Sequence, residues 1–204
     1  MDQGWLPPAR PSRALPVTSM PIDNTYLYWL ILACEVGFWL LLGAALFARY
    51  VARLERVSWV LLVLLPVLDL LLLGFTAVDL RSGQTATFAH GLATAYVGFT
   101  VAFGGLVVGW ADQRFAHWFA NGPPPTRPPK GGWAAVQYEL GLWIRCIVAA
   151  AIICVLVVGL IVYVDNEVAT QHLRVWFRVA IGAVFFWFVF GPVWSAVFHW
   201  RGRA

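Results

Sequence analysis

The sequence predicts an all-α protein: a polytopic membrane helical bundle of five transmembrane helices, with the N-terminus outside and the C-terminus cytoplasmic. Three observations lead there. Of 204 residues, 61% are hydrophobic and 12% charged, against about 25% charged in a soluble domain, so polar groups are too few to cover a water-facing surface. The apolar residues gather in runs long enough to cross a bilayer. Arginine and lysine fall between those runs, more of them on one side than the other.

Residues 1–25 hold Pro7, Pro8, Pro11, Pro16 and Pro21 and no apolar stretch, which reads as a flexible Pro-rich tail rather than a signal peptide. The first span covers about 26–48, with Tyr26, Tyr28 and Trp29 as an aromatic belt at its start. The link "RYVARLER" brings Arg49, Arg53 and Arg56. The second span runs over 57–78 and carries Pro66, whose freed carbonyl neighbouring helices can satisfy. A short polar link, "DLRSGQ", leads to the third span at 85–110. Past Trp110, "ADQRFAHWFA" mixes charges and aromatics, as expected where a helix leaves the hydrocarbon along the interface. The linker 121–132 contains "PPPTRPP", five prolines in seven residues, which favours an extended, semi-rigid spacer over an SH3-type ligand. Spans four and five follow at 140–164 and 175–198.

Orientation comes from the basic residues. Arg49, Arg53, Arg56, Arg114, Arg127, Lys130, Arg201 and Arg203 fall on one side, and Arg10, Arg13, Arg81 and Arg174 on the other. The richer side is expected in the cytoplasm. A net charge of +4 distributed this way contacts lipid headgroups and gives no reason to invoke nucleic acid. Cys34, Cys146 and Cys154 all lie within apolar runs without metal-motif spacing, so they read as small hydrophobes. No catalytic motif, metal-ligand set or internal repeat stands out.

Charged groups inside the bilayer are the informative exceptions, since each costs about 2.5–3.5 kcal/mol at the centre of a helix. At 1.5 Å per residue, Glu35 lies about 13 Å and Asp69 about 15 Å from the outer boundary. His90 enters span three from that same side and Arg178 enters span five from it. Two readings compete for these four. Glu35, Asp69, His90 and Arg178 could form an outward-facing polar pocket for protons, ions or a small molecule. Alternatively the acids are neutral interhelical glue and Arg178 reaches the headgroups. Arg145 enters from the inside and can snorkel, with Glu139 near it. Four histidines could suggest two haems, but ligands 27 residues apart on each helix would sit about 40 Å apart. A single haem on His90 and His172 is the one cofactor arrangement left; otherwise none is implied.

Span three also carries a stripe of small residues: Gly91, Ala95, Gly98, Ala102, Gly105 and Gly109. Alternating steps of four and three hold such a stripe on one side of a left-handed helix pair. Close approach of this kind replaces the hydrophobic effect as the source of contact energy in lipid. The partner is either another span or another copy. Thr87 and Thr94 add hydroxyls near His90, and Thr100 lies deeper.

The segment "DLRSGQTATFAHGLATAYVGFTVAFGG", continuing to "WADQRFAHWFANGPPP", resembles one found in small, uncharacterised integral membrane proteins of actinobacteria, over roughly residues 76–130. The resemblance implies a membrane setting and no assigned activity. The expected role is a non-enzymatic accessory or assembly subunit of the inner (plasma) membrane, packing through the stripe. Its partners would be the lipid bilayer and other membrane subunits or a second copy. The alternatives are a small transporter or proton-coupled permease built on the polar cluster and, third, a membrane enzyme or haem protein.

Overall fold

The computed structural model describes residues 25–129 and 131–198; the side chains of residues 25–28, 30, 31, 34 and 35 lie outside the described set. The expectations for the tail before Thr25, Lys130, His199, Arg201 and Arg203, and for the Cys34 and Glu35 side chains, therefore fall outside the described residues.

Every element is helical, and no strand occurs among the described residues. Helix α1 spans Thr25–Tyr50, α2 Glu55–Arg81, α3 Phe88–Phe119 and α4 Gly132–Val164. A short α5, Glu167–Thr170, and a 3₁₀ turn, Gln171–Arg174, lead into α6, Val175–Phe188. A π-helical turn, Val189–Val193, joins α6 to α7, Trp194–Phe198. Four stretches are long and apolar enough to cross a membrane: α2, α3, α4 and the continuous Glu167–Phe198 run. Within α1, the described Val36–Tyr50 segment is apolar as well.

The helices outrun the sequence boundaries. Helix α3 continues to Phe119 and, with 32 residues, is about 48 Å long, well beyond a hydrocarbon core of about 30 Å. Leaving lipid does not end a helix whose hydrogen bonds are internal. Arg114 stacks over the Trp110 ring at 3.9 Å in the extension. Helix α4 starts at Gly132, directly after the Pro-rich linker. The linker is tied down: Thr126 donates from its backbone N–H and its hydroxyl to the Gln113 side-chain oxygen on α3, at 3.0 and 2.8 Å. The π turn sits at Pro192, which has no N–H to donate to the preceding turn.

Packing places α3 at the centre, with α4 against it. Helix α3 touches α1, α2 and α4, while α4 touches α2, α3, α6 and the π turn. In α3's apolar stretch 39% of residues are buried, against 22% in α2 and 17% in α4. The outside is correspondingly apolar: Trp29, Leu40, Phe75, Val101, Val155 and Phe185 all stand exposed, as in a protein solvated by lipid. Three clusters hold the bundle. Leu80, Val157, Leu160, Leu173 and Trp176 pack at the end carrying the α2–α3 link. Ala102, Phe103, Cys146 and Ala149 pack in the middle. Leu42, Leu46, Leu65 and Ala111 pack at the Arg-rich end. Cys146 and Cys154 are both free thiols.

Candidate functional site

Two polar pairs join α2 to α3. Helix α2 ends with Ser82 Oγ donating to the Asp79 carbonyl at 2.6 Å, and the turn is completed at Gly83, whose φ of +100° favours glycine. Three residues after Gln84, Thr87 becomes the N-cap of α3 in extended conformation. Its hydroxyl takes the N–H of the third helical residue, and that residue's side chain returns to the Thr87 N–H, a capping box. The residue in the returning position is His90, where glutamate or glutamine is usual.

This geometry sets the imidazole tautomer. The Thr87 backbone N–H donates to His90 Nδ1 at 3.0 Å, so Nδ1 holds a lone pair. Nε2 then carries the hydrogen and donates it to Asp79 Oδ2 at 2.8 Å. His90 is 0% exposed, with both ring nitrogens engaged. Ten residues further into the bundle on each helix, the Thr100 hydroxyl donates to Asp69 Oδ2. Asp69 is 8% exposed. The equal steps from Asp79 to Asp69 and from His90 to Thr100 are what two antiparallel helices in one register require. The two pairs are rungs about 15 Å apart.

His90 and Asp69, two of the four residues expected to share a pocket, therefore have different partners. His90 and Asp69 occupy different rungs, Arg178 is exposed on α6, and the Glu35 side chain is outside the described residues. His172 is also exposed, on the 3₁₀ turn. Arg145 donates to the Ala102 carbonyl of α3 at 3.0 Å rather than meeting Glu139. Glu139 instead faces the π turn, its Oε2 lying 2.9 Å from where a Cβ on Gly191 would stand. With Tyr138, Ser195 and Pro129 it lines a cavity of about 330 Å³.

Asp79 is not among the residues expected from sequence to form the site. Its partnership with His90 was legible in principle, because both flank the same short link at matching distances. Trp176 is not among the residues expected from sequence either; its buried indole N–H has no hydrogen-bond partner among the described residues.

The small-residue stripe divides in two. A Cβ on Gly91 would fall 1.8 Å from Trp176 Nε1, and one on Gly98 would fall 2.7 Å from Ile153 Cγ1 and 2.9 Å from the Ala149 carbonyl oxygen. Ala95 packs against the cluster at the link end, and Ala102 belongs to the central one. Gly105 and Gly109 would meet nothing within 4 Å.

Among the described residues, no group of three or more His, Cys, Asp or Glu is placed to hold a metal ion. No family model matches the chain, and no solved structure does. The uncharacterized membrane protein YmcC of Bacillus subtilis (strain 168) is 34% identical to it over 146 residues, 71% of this chain and 78% of that protein. At that identity and coverage, the chain belongs to the same family as YmcC, a family of integral membrane proteins.

Proposed function

We propose that the chain is a non-enzymatic accessory or assembly subunit of the inner (plasma) membrane, with its Arg-rich end in the cytoplasm. It would engage another membrane subunit or a second copy through the Gly105–Gly109 part of α3. The observation that carries this reading is the open space at those two glycines in a stripe whose Gly91, Ala95, Gly98 and Ala102 are consumed by internal packing. A GxxxG face without an internal neighbour offers a partner helix close backbone approach. The α2–α3 rungs serve as register pins in this reading, and no haem is assigned to His90, whose ring nitrogens are both taken.

The test is co-purification from native membranes in mild detergent. Replacing Gly105 by Leu is expected to release the partner, or convert a dimer to monomer, without changing the melting temperature of the isolated chain. Retention of the partner by that variant would end the proposal. The permease alternative predicts a water-filled outer cavity, whereas Asp69 and His90 are buried and paired. Asp69→Asn discriminates: it keeps hydrogen bonding and removes a carried proton, so unchanged behaviour in vesicles supports the role as glue.

A further inference from the structure

At the turn between α1 and α2, Arg49, Glu55, Arg56, Ser58, Trp59 and Leu62 line a cavity of about 350 Å³. The chain reverses here through Arg53, at a φ of +56°, so that the last turn of α1 and the first turn of α2 face one space. The donors converge. Leu54 occupies the N-cap of α2 and provides no side-chain cap, which leaves the positive end of a 27-residue helix without a side-chain acceptor. Arg56 projects from that first turn and is exposed. Arg49 stands on the other side, touching Asp112 at 3.4 Å through one of its nitrogens.

The second observation is Ser58. It is 2% exposed, and its hydroxyl has no hydrogen-bond partner among the described residues. Buried hydroxyls are nearly always paired, so an orphan among cavity-lining residues calls for a group that the cavity receives. Two guanidinium groups, an uncapped helix start and a hydroxyl form a donor set suited to a tetrahedral oxyanion. Glu55 contributes the opposing charge. It repels a bare anion but accepts hydrogen bonds from an amine or hydroxyl, which selects a phosphodiester carrying such a group. Trp59, 67% exposed, and Leu62 extend the wall as an apolar surface.

We propose that this cavity binds a phosphate group, supplied by the headgroup of a membrane phospholipid. Arg49, Arg56 and Ser58 hold the phosphate, Glu55 takes the amine or hydroxyl of the headgroup, and the first acyl methylenes lie along Trp59 and Leu62. The site is independent of whether Gly105 and Gly109 dock a partner.

Native mass spectrometry of the full chain in mild detergent tests it, titrating phosphatidylglycerol or phosphatidylethanolamine against diacylglycerol with the same acyl chains. Saturable binding of one phospholipid is expected, with diacylglycerol weaker by about tenfold or more. Arg56→Gln and Ser58→Ala should each weaken phospholipid about tenfold and leave diacylglycerol and the melting temperature unchanged. Arg81→Gln, at the other end of α2, should leave all of these unchanged. Should Ser58→Ala fail to fold, Arg56→Gln decides alone, because its side chain is exposed. Equal phospholipid binding by wild type and Arg56→Gln overturns the site. Displacement of the lipid by millimolar inorganic phosphate overturns the lipid as the source.

Discussion

The two halves of α3 handle the same residue types differently. Toward its N-terminus, Gly91 and Gly98 are pressed against Trp176, Ile153 and the Ala149 carbonyl, while His90 and Thr100 are tied to acids on α2. Toward its C-terminus, Gly105 and Gly109 face open space, and the polar contacts, Arg49 and Tyr50 with Asp112, lie nearer the chain's Arg-rich end. One periodic stripe thus holds two kinds of glycine. A small residue records that a close approach is permitted; only the neighbouring helices decide whether it is used.

Substitutions along α3 measure that contrast. The largest effect is expected at Gly91, where even Ala places a Cβ within 1.8 Å of a buried indole. Overpacking of this kind costs about 3 kcal/mol, read as a fall in thermal stability in detergent. Adding Trp176→Phe to Gly91→Ala should recover part of the loss, since the clash is with the five-membered ring of the indole. Wild-type stability for Gly91→Ala would show that the two helices do not approach this closely.

His90→Ala comes next. It removes a capping interaction and an interhelical hydrogen bond together, about 2 kcal/mol in all. His90→Gln should recover about half, because glutamine completes a capping box. An equal loss for both variants would assign the whole effect to Asp79. Thr100→Val breaks a single interhelical hydrogen bond and should cost about 1 kcal/mol by the same unfolding measurement. The smallest effect belongs to Gly105→Ala, within about 0.5 kcal/mol of wild type. A large loss there would mean the second half of the stripe is internal packing after all.

The helical bundle was legible because lipid demands long apolar runs, and such runs survive in composition alone. Helix ends were less so. Charges and aromatics after Trp110 predict an exit from hydrocarbon, yet the backbone stays helical to Phe119. Span four is expected from residue 140, while α4 itself begins at Gly132, with Tyr138 and Glu139 as polar residues within the helix. For the site, depth arithmetic placed His90 and Asp69 in one half of the bilayer, but depth along separate helices does not say which groups meet. The antiparallel register decided that: Asp79, not Asp69, is level with His90. Ser58 carries no sequence signal, since an unpaired hydroxyl is a property of its surroundings.

The paired rungs have a consequence for how the chain enters the membrane. Asp69 is an acid inside an apolar span, and its Thr100 hydroxyl contact forms only when α3 follows α2. Residues 82–87 are too few to let the two helices wander apart. Helices α2 and α3 are thus suited to leave the translocation machinery as one hairpin, each rung closing as the second helix slides past the first. Biogenesis of this half of the protein would then be a single zippering event, begun at Asp79 and His90 beside the link and closed at Asp69 and Thr100.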